Sequence, residues 1–281
     1  MDEALGLVAK ILPSSAVDGP GNRSVVFFQG CDFDCKYCHN PETRQTCINC
    51  GLCVSPCTAG ALSQKDGQVL WEPKRCTDCG TCISLCPHSA SPKARFLSVS
   101  EVLQILRPYV PFIRGLTLSG GECGLQVAFI TALIRRAREV YQLGSLIDTN
   151  GSTDYSQISD LVEAAEGFML DIKAWDPLEH EELTGASNRM VLHNLEYLAR
   201  IDKVYEVRTV VVPGQFDTAQ TVREVSRILV SAQSGARYKI IAFRPQGVRS
   251  QYRNMPQPDR SHLEELAAFA RSMGVRDVVV V

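Results

Sequence analysis

From about residue 95 onward the apolar residues alternate between short β-rich runs and longer stretches with apolar positions at helical spacing. That is the pattern of repeated βα units around a parallel sheet. Six runs read as strands: Ser24 to Gln29, Leu116 to Ser119, Ser145 to Asp148, Phe168 to Lys173, Tyr205 to Val212 and Tyr238 to Arg244, with Val275 to Val281 as an optional seventh. Between them, 125–142, 156–166, 188–201, 217–233 and 261–273 read as amphipathic helices. Two helix starts carry a capping box, Ser98 with Glu101 and Ser261 with Glu264, each placing a hydroxyl and a carboxylate three residues apart before an apolar run.

Residues 43–93 break this rhythm. They lack long aliphatic runs, hold eight cysteines and end in the turn-prone segment PHSASPK, so they read as an insertion between a first part, 1–42, and the remainder, 94–281. Their apolar content is too small for a core of their own, and bound metal is expected to hold them together. The halves CINCGLCVSPC and CTDCGTCISLC repeat one spacing, which suggests two pseudo-equivalent metal-binding turns.

The composition narrows the function class. With 45% hydrophobic and 21% charged residues among 281, the chain can bury a large core and is not disordered. Lysine and arginine number 29 against 31 acidic residues, so nucleic acid is not an expected partner, and Arg135, Arg136 and Arg138 read as a solvated helix face. No apolar run approaches the roughly 20 residues a bilayer span needs. The start MDEALGLVAK lacks a signal-peptide pattern, so a cytoplasmic protein with no membrane partner is expected.

Twelve cysteines leave disulfides or metal ligation, and eleven of them fall in three tight clusters before residue 90 without an export signal, which favours ligation. Cys47, Cys50, Cys53 and Cys57 follow C-x2-C-x2-C-x3-C, and Cys76, Cys79, Cys82 and Cys86 repeat it, with Pro87 after the last. This is the bacterial ferredoxin spacing, in which the fourth cysteine ligates the other cluster. The sets therefore cross: Cys47, Cys50, Cys53 and Cys86 for one 4Fe-4S cluster, and Cys76, Cys79, Cys82 and Cys57 for the other. A pair of zinc ribbons is the competing reading. Cys31, Cys35 and Cys38 form C-x3-C-x2-C, and three thiolates leave one iron of a cube open for chemistry. Cys123 stands apart and reads as a small buried residue. His88, His180, His193 and His262 have no ligand-spaced partners and read as structural or solvated.

The run VDGPGNRSVVFFQGCDFDCKYCHN resembles the start of the radical S-adenosylmethionine (radical SAM) superfamily. More narrowly the chain resembles glycyl-radical enzyme activating enzymes, the group that includes the pyruvate formate-lyase activators, and among those with a two-cluster insert the YjjW-type group. The blocks Asp18-Gly-Pro-Gly, Cys31 to Asn40, Ser119-Gly-Gly-Glu, Asp148-Thr-Asn-Gly, Met169-Leu-Asp-Ile-Lys173, Leu183-Thr-Gly-Ala-Ser-Asn188 and Val210-Val-Val-Pro-Gly214 occur in the family's order. The resemblance implies a partial, open (β/α)6 barrel with a bacterial-ferredoxin-like insert, its site at the strand carboxyl ends. It implies three 4Fe-4S clusters, S-adenosylmethionine on the one held by Cys31, Cys35 and Cys38, and room for a monovalent cation near Asp148, Thr149 and the backbone at Met169.

Within that site the resemblance assigns ligand contacts to Ser119, Gly120, Gly121 and Glu122, with Glu122 receiving the methionine ammonium. It assigns further contacts to Asp171, Lys173 and Arg208, and places Tyr37, His39 and Asn40 under the adenine. The chain departs from the family at Phe243-Arg-Pro-Gln-Gly247, where Arg244 stands in place of a histidine. The implied reaction is reductive cleavage of S-adenosylmethionine and removal of a hydrogen from a backbone glycine of a partner glycyl-radical enzyme, with Val17, Asp18 and Gly19 as candidates for touching that peptide. Flavodoxin or ferredoxin is the implied reductant, and a monomer is expected. A radical SAM enzyme acting on a small molecule and a pure electron carrier are the rival readings.

Overall fold

The expected parallel sheet is present, and it is longer than expected at one end. The computed structural model describes residues 4–281, so the first three residues of the 1–42 segment lie outside the described residues. The chain opens with β1 (Leu5–Ser15), which turns back antiparallel into β2 (Arg23–Phe28). The insert contains a hairpin of β3 (Leu62–Lys65) and β4 (Gln68–Trp71) and one helical turn, α1 (Thr81–Ser84). Next comes β5 (Arg95–Ser98), antiparallel to Leu5–Val8 of β1. There follow α2 (Val99–Leu106), β6 (Gly115–Gly120), α3 (Val127–Tyr141), β7 (Gly144–Thr149), α4 (Ser159–Ala164) and β8 (Gly167–Asp171). The chain ends with α5 (Pro177–Thr184), α6 (Arg189–Arg200), β9 (Val204–Val211), α7 (Thr218–Ser231), β10 (Arg237–Ala242), α8 (Arg260–Ser272) and β11 (Val278–Val280).

The strand order is β11-β10-β9-β8-β7-β6-β2-β1-β5. Every neighbour from β2 to β11 runs parallel, so all six expected strands and the optional seventh lie in one sheet, within a few residues of the expected bounds. The reason lies in the apolar runs: β2 and the first four residues of β8 are buried throughout, as strands covered on both faces must be. Phe28, Leu116, Ile147, Phe168 and Val207 from the sheet pack against Ile130 and Leu133 of α3, Leu195 of α6 and Val225 of α7 in one core. Each such side chain removed from water contributes about 1.5–3 kcal/mol.

Three features depart from the pattern reading. β1 and β5 add two antiparallel strands at the β2 edge. α5 appears where no apolar periodicity exists, because Asp176 caps the amides of Leu178 and Glu179 and Pro177 presets the first turn. The capping box at Ser98 and Glu101 forms in full, but the one at Ser261 and Glu264 does not. Asp259 lies two residues earlier and accepts from the His262 amide at 2.8 Å, so α8 starts before Ser261.

In the insert, the sequence repeat reappears in the backbone. Asn49 and Asp78 occupy the same place in the two halves with φ of 60° and 53°, and Gly51 and Gly80 follow with 77° and 75°. These left-handed positions wind each half around its own space.

Candidate active site at the carboxyl end of the sheet

The loop after β2 carries Cys31, Cys35 and Cys38. It is held from outside by backbone bonds: the amides of Asp34 and Lys36 donate to the carbonyls of Thr184 and Leu183 at 2.7 and 2.9 Å, and the Cys31 amide to Arg44 at 2.9 Å. The Leu183–Asn188 block thus serves the site as a brace. His180, fully buried, supports it through a 2.8 Å contact with the Ala186 carbonyl and an edge-on contact with Phe33. The three thiols line one cavity of about 320 Å³, part of it open to solvent, together with Asn40, Gly121 and Arg249. Burial pushes the Cys35 thiol up to about 11 against the opposing charge of Lys173, and it raises Cys31 and Cys38 as well. Buried thiols of this kind ionise only with a strong positive partner, and the iron of a cluster is one.

Ser119-Gly-Gly-Glu122 ends β6 beside this cavity. Gly120 (φ 119°) and Gly121 are required by close approach to the chain itself: a Cβ would lie 2.1 Å from the Phe28 amide nitrogen in the first case and 2.1 Å from the Gly30 carbonyl in the second. That approach lets the Gly121 and Glu122 amides bond the carbonyls of Phe28 and Gly30 at 2.9 and 2.7 Å, locking the turn to the cysteine loop. Glu122 is placed otherwise than a ligand contact requires. It is fully buried, and its carboxylate accepts from the Asn150 and Gly124 amides and the Thr149 hydroxyl at 2.7 to 2.8 Å. Burial pushes it up to about 7 despite these donors. Its work is to tie the ends of β6 and β7 together from behind.

Across the other face of the sheet ends runs a line of charge. Asp148 accepts from Ser119 and from Arg208, both at 2.8 Å, and Arg208 also donates to Glu206 at 2.6 Å and to the Met169 sulfur at 3.0 Å. Glu206, 1% exposed, binds Lys239 at 3.0 Å as well. Burial opposes the Arg208 charge, but Asp148, Asp171 and Glu206 outweigh it and raise the guanidinium above its ordinary value. Asp148 and Glu206 are the carboxylates that pair with Arg208. Lys173 pairs with Asp171 at 2.7 Å, on one face as the period of two requires.

The expected cation cradle is not assembled by side chains. Asp148 and Thr149 are consecutive on β7 and point to opposite faces, Thr149 to Glu122 and Tyr155, Asp148 to Arg208. Tyr37 is likewise inside, 3% exposed, packed with Leu183, Val212, Phe216 and Phe243, its ring 5.7 Å from the Lys173 ammonium. His39 and Asn40 remain at the surface of the site. The His39 Nε2 lies 2.9 Å from the Arg244 carbonyl, so the structure brings Arg244 to this loop through its backbone, with its side chain exposed. Cys123 is fully buried, its thiol donating to the Leu118 carbonyl. In the β1–β2 turn the Asp18 carbonyl accepts from Thr117 at 2.6 Å, while Val17 is 79% exposed.

The insert surrounds two further spaces. Cys47, Cys50, Cys53 and Cys86 line one of about 370 Å³, and Cys57, Cys76, Cys79 and Cys82 line another of about 330 Å³, which Cys82 links by lining both. Among the described residues no three His, Cys, Asp or Glu side chains converge on a single-ion site. Thiols spread around a space suit a multi-iron cube better than one zinc ion, which needs four ligands at about 2.3 Å from one point.

The sequence reading missed Arg249, Glu206 and Lys239. Arg249 and Lys239 make their contacts across distant segments, whereas Glu206 lies two residues from Arg208 on β9, a same-face spacing that was open to reading. Among the described residues no helix is long and apolar enough to cross a membrane.

Residues 25–225 match the family model described as the radical SAM superfamily. The isethionate sulfite-lyase activating enzyme of Oleidesulfovibrio alaskensis is 30% identical over 269 residues, covering 87% of this chain and 85% of that protein. The choline trimethylamine-lyase activating enzyme of the same organism is 31% identical over 265 residues, covering 87% and 84%. Among solved structures, QueE from Escherichia coli superposes with a TM-score of 0.54 at 11% identity, covering 99% of this chain and 94% of that one, a likeness of fold alone.

Proposed function

The chain belongs to the radical SAM superfamily and, within it, to the glycyl-radical enzyme activating enzymes, and from this premise we propose how its residues divide the work. Cys31, Cys35 and Cys38 hold the catalytic 4Fe-4S cluster and leave one iron for S-adenosylmethionine. The observation that carries this reading is the cavity at the strand ends, which among the described residues is lined by these three thiols and no other cysteine. When bound, the cluster supplies one electron that cleaves the sulfonium to methionine and a 5'-deoxyadenosyl radical, which takes a hydrogen from a backbone glycine of the partner enzyme.

The chain's own residues orient and enclose. The architecture reads as a partial (β/α)6 barrel with a ferredoxin-like insert at 43–93, since β6 to β10 are each followed directly by a helix and β2 reaches its helix, α2, after the insert and β5. Ser119, Asp148 and Arg208 present a fixed dipolar edge beside the cavity, and the Asp171–Lys173 pair faces the cysteine loop, where both exert their charge on Cys35. The backbone at Gly120 and Gly121, rather than the Glu122 carboxylate, is the surface offered to the ligand ammonium there. His39, Asn40 and Arg244 form the adenosyl side, with Tyr37 acting from beneath by fixing the loop. The turn Val17-Asp18-Gly19, pinned at Thr117 and exposed at Val17, is the contact for the partner peptide.

In the insert, the crossed cysteine sets hold two auxiliary 4Fe-4S clusters that relay electrons inward from a flavodoxin or ferredoxin. Two observations favour the relay. Cys50 and Cys79 are exposed, one in each set. Cys47 is three residues from Arg44, whose carbonyl accepts from the Cys31 amide, and Gln45 bridges to Ser89, close to Cys86.

The test is anaerobic reconstitution with S-adenosylmethionine, dithionite and candidate glycyl-radical enzymes. A persistent glycyl radical signal on the partner polypeptide, with about one 5'-deoxyadenosine per radical, is expected. Multiple turnovers on a small molecule with no partner protein would refute it.

A further inference from the structure

The side chain that reaches the cysteine loop from farthest away in sequence is Arg249, in the turn after β10, and nothing in the radical SAM chemistry set out above uses it. Its Nη1 lies 2.7 Å from an Asp34 carboxylate oxygen, and Nη2 donates to the carbonyls of Asp34 and Cys35 at 3.1 and 3.0 Å. The guanidinium carbon sits 5.0 Å from the centre of the Tyr252 ring. Arg44 holds the other Asp34 oxygen at 3.2 Å. Two carbonyls, a carboxylate and a ring thus fix the plane of the fork, which a flexible lysine could not reproduce.

One donor is left over. Among the described residues the Arg249 Nε is buried without a partner, in a side chain that lines the same cavity as Cys31, Cys35 and Cys38. A buried N–H at the wall of a thiol-lined cavity calls for an acceptor, and cluster sulfur is one. Hydrogen bonds to the sulfurs and nearby charge are among the levers that set a cluster's potential.

We propose that Arg249 is a positioning residue that clamps the Cys31–Cys38 loop and directs a cationic N–H at the sulfurs of the catalytic cluster, making its one-electron reduction easier. The electron comes from the external one-electron donor and resides on the cluster, and no bond to Arg249 forms or breaks. The inference rests on the assignment of those three cysteines as cluster ligands.

The experiment is a potentiometric titration of the reconstituted full-length protein, following the component of the reduced-cluster EPR spectrum that changes when S-adenosylmethionine is added. Arg249→Met removes charge and clamp, and Arg249→Gln removes the charge while keeping an amide that can reach one carbonyl. Both are expected to lower the ratio of reduced to oxidised cluster at a fixed potential by about tenfold, a midpoint shift of about 59 mV for a one-electron couple. An unchanged midpoint in either variant, at the wild-type iron content, overturns the proposal. Failure of the underlying ligand assignment looks different, because the wild type itself then shows no component that responds to S-adenosylmethionine.

Discussion

Arg208 on β9 reaches over β8 to Asp148 on β7, Nη1 to Oδ1 at 2.8 Å, while its Nε holds Glu206 on its own strand at 2.6 Å. One cation therefore balances two carboxylates beside the catalytic cavity, and Lys239 supports only the second. Replacing Arg208 by Met leaves Asp148 with Ser119 alone. We expect a loss of about 3 kcal/mol in chemical denaturation, with at least tenfold weaker S-adenosylmethionine cleavage. Adding Asp148→Asn to that variant should recover part of the stability and none of the cleavage; a double variant no more stable than the single one would show that Arg208 does not serve to balance Asp148.

The crossed cysteine sets give iron counts that depend on which pairs are removed together. A chain with three cubes holds about twelve irons. Cys57→Ser with Cys79→Ser strikes one cube twice and should leave about eight irons. Cys57→Ser with Cys50→Ser strikes both and should leave about four. Equal counts for the two pairs would exclude the crossed arrangement.

Cys38→Ala separates the catalytic cube from the insert. About eight irons should remain, electron uptake by the insert should persist, and 5'-deoxyadenosine formation should vanish. Retained cleavage in this variant would remove the catalytic assignment.

Glu122 should titrate near neutrality. Burial raises it from 4.5 to about 7 in the folded chain, so the folded state holds the proton more tightly than the unfolded one. Its contribution to stability is then full below about 4.5 and is lost as the pH rises through about 7. Infrared difference spectra should show a carboxylic acid band disappearing with a midpoint near 7, absent in Glu122→Gln. A carboxylate already ionised at pH 5 would contradict the assigned environment.

Much of this architecture was legible in the sequence because parallel strands buried on both faces leave continuous apolar runs, as at Val25–Phe28 and Phe168–Leu170. β1 was not, since its pattern of half-buried positions, with Lys10 and Pro13 inside it, follows no single period. The hairpin of β3 and β4 did carry a signal, the Asp66-Gly67 turn between two short runs, with both residues at positive φ. The cysteines declared themselves by spacing. Glu122 and Tyr37 declared themselves as important without revealing their direction: both point inward, Glu122 onto the Asn150 and Gly124 amides and Tyr37 into the cluster of Leu183, Val212, Phe216 and Phe243. Arg249 had no chance of detection, because its contact with Asp34 spans 215 positions and depends on how the sheet folds the chain back on itself.

That last separation has a bearing on biogenesis. The cysteine loop is made early, yet its anchor Arg249 comes 215 positions after Asp34, and its brace at Leu183–Thr184 is also distant. A nascent chain on the ribosome exposes three thiols with neither support. We expect this loop to take its braced shape only after residue 249 has been made, whereas the eight thiols of the 43–93 segment all fall within 47–86 and are together far sooner.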